Sequence, residues 1–164
     1  MTGRRRAANL LRRLFRIQPM PASSSNLAPL AAGISAAGAL DQRDIEALAA
    51  QGVRTIINNR PDGEDAGQLP AEEARRVAEA HGIAYHHIPV TAASLSRADV
   101  DAFAGALATA AQPIVLHCRS GTRSTMLWAL SRMRDGADAD ALIAEAATHG
   151  IDIAALPALA ARLG

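Results

Sequence analysis

The chain has 164 residues, 49% of them apolar and only 2% aromatic, with a formal net charge of +1. This length suffices for one domain with a core of Ala, Leu, Ile and Val. A single cysteine excludes an intramolecular disulfide framework, and no apolar run approaches the roughly 20 residues of a membrane-spanning helix. Because a lone cysteine fits a reducing compartment, we expect a cytoplasmic protein.

Residues 1–26 are predicted to form a basic, flexible N-terminal extension. Residues 1–20 carry six arginines and no acid, whereas all 16 acids lie in the rest of the chain. Apolar residues interleave with these arginines, so one interpretation is contact with an anionic membrane surface. We favour the other interpretation, a solvated tail, because basic arms are commonly solvated. Residues 27–164 are then predicted to form one catalytic domain.

Strands and helices alternate along this domain. Short apolar runs bounded by turn residues predict strands over 27–34, 53–58, 83–90 and 113–117. Start signals predict helices after Asp41, Pro70 and Ser96, and periodicity predicts three more over 124–134, 138–148 and 153–163. The alternation predicts an α/β three-layer sandwich, with a mainly parallel central sheet and helices on both faces. Loops at the carboxyl ends of its strands should meet at one edge.

The stretch 114–124, Ile-Val-Leu-His-Cys-Arg-Ser-Gly-Thr-Arg-Ser, is typical of a buried strand, a tight loop and a helix start. The thiol of Cys118 would lie at a helix N-terminus between Arg119 and Arg123, and both effects favour the reactive thiolate. We therefore predict that Cys118 is a nucleophile. Arg123 is predicted to contact the bound anion, while Arg119 would either do the same or point outward.

The rest of this loop is predicted to bind an anion through its backbone. Gly121 permits the turn that aims successive N–H groups inward. Ser120, Thr122 and Ser124 would supply further N–H groups, and Ser124 would either hydrogen-bond the thiolate or serve as an N-cap. His117 is predicted to fix the loop through side-chain hydrogen bonds. No metal site and no cofactor are predicted.

Four residues separate Cys118 from Arg123, and this spacing resembles the active loop of rhodaneses, the sulfurtransferases. Protein tyrosine and dual-specificity phosphatases have a similar loop with five intervening residues, which would place their arginine at Ser124. A smaller ring of N–H donors suits a persulfide sulfur better than a phosphate. Resemblance to the dual-specificity phosphatases also implies a general-acid aspartate after the third strand, yet residues 89–94, Pro-Val-Thr-Ala-Ala-Ser, contain no acid.

A neighbouring loop carries further candidate residues. Arg60, Asp62 and Glu64 form a charge cluster that would bind substrate or hold Arg123 by a salt bridge. An ordinary turn with solvated charges is the alternative. Asp62 or Glu64 would also be the nearest substitute for the missing general acid.

The motifs together resemble one bacterial family. They comprise Asn-Asn-Arg-Pro-Asp-Gly-Glu at 58–64, the strand at 85–90, the loop at 117–124 and Leu-Trp-Ala at 127–129. The chain is similar over about residues 27–160 to the beta-lactamase-hydrolase-like protein, phosphatase-like domain. This resemblance implies a protein tyrosine or dual-specificity phosphatase-like fold. Some members are labelled sulfur transferases, and some are fused to a metallo-hydrolase of the persulfide dioxygenase type.

These observations lead to three functional hypotheses. The first, favoured by the loop length, is a rhodanese-like sulfurtransferase in sulfide or persulfide metabolism that acts through a Cys118 persulfide. The second is a phosphatase with a Cys118 phosphoenzyme, and the third is a non-catalytic module that binds an anion or a partner. The predicted partners are a small sulfur donor or a phosphorylated substrate, with a persulfide dioxygenase-type metallo-hydrolase as a further candidate. No nucleic-acid partner is predicted.

Overall fold

A computed structural model describes residues 26–164, so the predicted extension and its membrane-contact alternative lie outside the described residues. No helix between residues 26 and 164 is both long and apolar enough to cross a membrane. The strands are β1 (Ala28–Ala31), β2 (Ile34–Ala37), β3 (Thr55–Asn58), β4 (Ala84–His87) and β5 (Ile114–His117). The helices are α1 (Gln42–Ala50), α2 (Ala71–Ala80), α3 (Arg97–Thr109), α4 (Thr122–Arg134), α5 (Ala139–Thr148) and α6 (Leu156–Leu163).

The five strands form one sheet in the order β1-β2-β5-β3-β4. Only β1 and β2 pair antiparallel, and the other three pairs are parallel. Successive residues of β5 alternate between two cores, as a strand requires. Ile114 and Leu116 pack with α3 to α6, whereas Val115 packs with α1 and α2. The predicted sandwich, with helices on both faces of a mainly parallel sheet, is therefore confirmed.

Most helix positions can be predicted from short stretches of sequence, because the residues that mark the helix ends lie next to them in the chain. Asp41 and Ser96 each cap a helix through a reciprocal capping box, as the sequence predicts. The predicted strand over 27–34 is wrong, because the chain turns at Ala32 and Gly33 into a hairpin and Gly33 has a φ of +72°. The helix predicted from residue 124 begins earlier, at Thr122.

The sheet order decides where the chemistry lies. The strand β5 is central, with β2 and β3 on its two sides, and Cys118 directly follows it. The chain after β3 runs beside it, since Asn59 N donates to His117 O at 2.8 Å. The loops that follow β3, β4 and β5 therefore lie together at one edge of the sheet, as expected for parallel strands.

Candidate active site

Cys118 lies at the start of a tight loop that leads into α4. Its thiol accepts a hydrogen bond from the Gly121 N–H, with 3.1 Å between Sγ and N. Gly121 has a φ of +93°, a conformation that L side chains rarely adopt, and this allows the turn. The thiol is almost fully buried but lines the cleft described below. A backbone amide aimed at sulfur beside a helix N-terminus stabilises negative charge on that sulfur.

A second glycine, which the sequence analysis did not single out, lets the loop pack closely on the sheet. A Cβ on Gly38 would stand 3.3 Å from Arg119 O, tighter than most real contacts. The adjacent Ala39 N donates to the same Arg119 oxygen at 3.0 Å. The chain between β2 and α1 therefore forms a floor for the loop. The only sequence signal for this contact is the run of small residues at 36–39.

Arg123 is held by a carboxylate from the loop after β3. Its Nη2 lies 2.8 Å from Glu64 Oε2, and its Nη1 donates to Asn59 O at 3.4 Å. The Arg123 hydrogen bond lowers the pKa of Glu64, and Arg60 lowers it further. This loop was predicted either to bind substrate or to hold Arg123 by a salt bridge, and Glu64 holds Arg123. Because its carboxyl is held ionised, Glu64 is a poor source of a proton at neutral pH.

The same loop forms a continuous network of alternating charges. Arg60 is buried and binds both Glu64, at 3.1 Å, and Asp65. Asp65 in turn binds Arg119 Nε at 3.0 Å. The side chain of Arg119 is 64% exposed and does not line the cleft, which is the outward-pointing alternative of the sequence analysis. Asp65 was missed because its role depends on two arginines, and one of them, Arg119, is 54 residues further along the chain.

Asp62 has a structural role and does not join the site. Its Oδ1 accepts from the Ala71 N–H at 2.8 Å, at the start of α2, where Pro70 offers no side-chain cap. A carboxylate there satisfies an open donor and complements the positive end of the helix. Asp62 is therefore engaged as the cap of α2, and its use as a substitute general acid stays a prediction.

Ser124 differs from its predicted side-chain roles, and His117 is buried beneath the loop. Ser124 lies inside the first turn of α4 and donates its hydroxyl proton to Asn59 Oδ1 at 2.8 Å, so it is neither an N-cap nor a donor to the thiolate. Burial lowers the pKa of His117 to about 4, which leaves the ring neutral. A backbone hydrogen bond at Cys118 partly opposes this lowering of the pKa, and the ring Nδ1 has no hydrogen-bond partner among residues 26–164. His87 also bonds the neighbouring loop, with its Nε2 2.9 Å from Arg60 O.

A cleft of about 560 Å³ opens beside Cys118. Ser120, Thr122 and Arg123 of the predicted anion-binding loop line it, together with Thr91 and apolar residues after β4 and from α4 and α6. No lining residue is an acid or a histidine. Within the described part of the chain, no group of three or more His, Cys, Asp or Glu side chains is placed to hold a metal ion.

Comparison with known proteins is consistent with this geometry. Residues 26–135 match the family model of the beta-lactamase hydrolase-like protein, phosphatase-like domain. A beta-lactamase hydrolase-like protein of Xylella fastidiosa is 42% identical over 107 residues, which is 65% of this chain and 25% of the relative. The chain thus spans about a quarter of the length of the curated relatives it matches.

Solved structures share the fold. A candidate phosphatase of Neisseria meningitidis superposes with a TM-score of 0.74 at 30% identity, covering 84% of this chain and 97% of the other. The catalytic core of a PP-IP phosphatase from S. cerevisiae has a TM-score of 0.61 at 14% identity, covering 84% and 91%, and shows the fold alone. These relatives fit a cysteine-based enzyme of the phosphatase fold. They do not support the preference for a sulfurtransferase, and the phosphatase alternative fits them better.

Proposed function

Because the chain belongs to the beta-lactamase hydrolase-like protein, phosphatase-like domain family, we propose that it hydrolyses phosphoric esters through Cys118. The observation that carries the proposal is the Gly121 N–H hydrogen bond to Cys118 Sγ, in a loop that opens into a cleft. A thiolate held there can attack phosphorus, while the loop amides and the start of α4 stabilise the phosphoryl oxygens.

The proposed reaction has two steps. In the first, the thiolate of Cys118 forms an S–P bond as the ester P–O bond breaks, and the departing oxygen takes its proton from water. In the second, water attacks phosphorus and the S–P bond breaks, which releases inorganic phosphate and restores the thiolate. Arg123, oriented by Glu64, would bind two phosphoryl oxygens with its planar fork.

The test is phosphate release from 4-nitrophenyl phosphate by the full chain. Cys118→Ser should abolish release, because a hydroxyl lacks the acidity of the thiol, and the wild type should form a covalent phosphoenzyme on Cys118. Arg123→Gln should lower kcat/KM by about 100-fold, the cost of a lost charged contact in the transition state. Arg119→Gln is the matched control, since it flanks the same thiol outside the cleft and should keep activity within about twofold. Release that survives Cys118→Ser would refute the proposal.

One observation favours sulfur transfer as a second candidate. The loop from Cys118 to Arg123 is one residue shorter than the phosphatase loop that it resembles, and a smaller ring suits a single sulfur atom. After incubation with thiosulfate, a gain of one sulfur atom in mass on wild type but not on Cys118→Ser would support this candidate. If the chain neither releases phosphate nor takes up sulfur, the third hypothesis remains, a non-catalytic module that binds an anion or a partner.

A further inference from the structure

The cleft beside Cys118 contains no group placed to protonate a departing oxygen. Its lining side chains come from Thr, Ser, Ala, Leu, Met, Cys and Arg. The candidate acids of the flanking segments have other partners: Glu64 is paired with Arg123, Asp62 caps α2, and Asp99 accepts from Ser96 N at 2.8 Å in the cap of α3. The leaving oxygen of an ester bound in the cleft must therefore depart as an anion or take its proton from water.

This restricts the kind of ester that reacts well. General-acid catalysis commonly contributes a factor of about 10² to 10⁴, and an alkyl ester needs it most because an alkoxide is a strong base. A phenolate is a much weaker base, with a conjugate-acid pKa of about 10 for tyrosine. Among phosphate monoesters, aryl esters are therefore the ones that this cleft is equipped to cleave.

The walls of the cleft suit an aromatic ring. Leu95 follows β4 on one side, and Met126 of α4 and Leu159 of α6 contribute further apolar surface. A cleft of about 560 Å³ lies within the size range of small-molecule sites. A ring between such side chains buries apolar area, which favours binding by roughly 25 cal/mol per Å².

One cation in the cleft has no carboxylate beside it. Arg162, near the end of α6, makes only a long hydrogen bond of 3.4 Å to Leu95 O and no salt bridge within residues 26–164. The charge of Arg123, by contrast, already faces Glu64. The helix α6 also lies beyond residues 26–135, so the family match does not include Arg162.

We propose, on the basis of the proposed function, that the substrate is a small aryl phosphate with a second anionic group. Arg162 binds this second group. The phosphate lies in the Cys118 loop, the ring lies against Leu95, Met126 and Leu159, and the second anion lies at the rim. Arg162 is thus a specificity-determining residue that takes no part in the bond changes.

Binding is tested with ligands that cannot be hydrolysed. Calorimetry compares 4-carboxyphenylphosphonate with 4-carbamoylphenylphosphonate, which has the same shape and no carboxylate charge. The wild type should bind the carboxylate about three- to fivefold more tightly, as expected for a partly exposed ion pair. Arg162→Gln should remove this preference, whereas Arg76→Gln, the same change at a 73% exposed arginine of α2, should keep it. Equal affinities in the wild type, or a preference that survives Arg162→Gln, would overturn the role of Arg162.

Turnover is tested separately with esters of different leaving groups. Without a general acid, kcat/KM for 4-nitrophenyl phosphate should exceed that for glycerol phosphate by at least about 10²-fold. Comparable kcat/KM values for the two esters would overturn the assignment of an aryl ester as substrate. A phosphotyrosine peptide that outcompetes 4-carboxyphenyl phosphate would show that the substrate is a protein and not a small molecule. A chain that hydrolyses none of these esters but shows the Arg162-dependent phosphonate preference would refute the proposed function and support the ligand class.

Discussion

Two regions that shape the cleft are built in opposite ways. The first, here called the paired wall, is the loop after β3. It lies behind the cleft lining, with Arg60 buried between two carboxylates, one of which also fixes the lining residue Arg123. The second, here called the apolar wall, is the face of α6 that presents Leu159 to the cleft, with Arg162 at its end, and it rests on the fully buried Leu156. Paired charges fix directions, so the first wall can orient the chemistry at phosphorus. Apolar contacts are non-directional, so the second wall can set which leaving group fits.

Removing the anchor of the apolar wall should have the largest effect. Leu156→Ala leaves a cavity under α6, and we expect the free energy of unfolding to fall by about 4 kcal/mol. Urea denaturation measures this change. Leu163→Ala, at a half-buried leucine of the same helix, should cost less than about half as much. Equal losses at the two positions would mean that α6 is not anchored through Leu156.

Breaking the paired wall should cost somewhat less. Glu64→Gln removes one of the two carboxylates that neutralise buried Arg60, and because Asp65 still pairs with Arg60 we expect a loss of no more than about 2 kcal/mol. Because the pKa of Glu64 is lowered in the folded chain, this stabilisation is present above its ordinary value of 4.5 and is lost as the pH falls through the folded value. Glu72→Gln, at a 67% exposed acid of α2, is the control and should change stability by under about 0.5 kcal/mol. Equal losses of unfolding free energy in Glu64→Gln and Glu72→Gln would show that the Glu64 ion pairs stabilise the chain no more than exposed ion pairs do.

Mild acid should affect the strand beneath both walls before it affects the carboxylates. His117 has a pKa of about 4 when folded and about 6.5 when unfolded, so the unfolded chain binds the extra proton between these values. Stability should therefore be full above pH 6.5 and fall by about 2 kcal/mol from pH 7 to pH 5. His117→Gln should flatten this part of the stability curve. A wild-type curve that is already flat would show that His117 takes up its proton at the same pH in the folded and unfolded chains, and would contradict the lowered pKa.

The smallest effect is expected at the helix cap behind the paired wall. Asp62→Ala should cost about 1 kcal/mol, because the first turn of α2 loses its acceptor. Asp62→Asn keeps a side-chain oxygen and should recover most of that stability. Both variants should retain kcat/KM within about twofold, and a large loss of rate with unchanged stability would revive Asp62 as a proton donor.

The sequence was most informative where structure depends on neighbours in the chain. The caps at Asp41 and Ser96 bond residues three positions away, and the loop around Cys118 is contiguous. The hairpin of β1 and β2 was missed because its Ala-rich strands contain only one β-branched residue, Ile34, and no aromatic residue. The hydroxyl of Ser124 bonds a residue 65 positions earlier, a partner that local patterns could not identify.

The central position of β5 has a consequence for how the thiol responds to fluctuations. Its backbone is paired on both sides, from Ile114 to His117, and edge strands must separate before it is released. We therefore expect the amides of β5 to exchange with deuterium only through global unfolding. Cys118, attached to the end of this strand, should share that protection. Slow oxidation of the thiol in storage would then measure the reactivity of the native loop, because partial opening of the domain would not expose it.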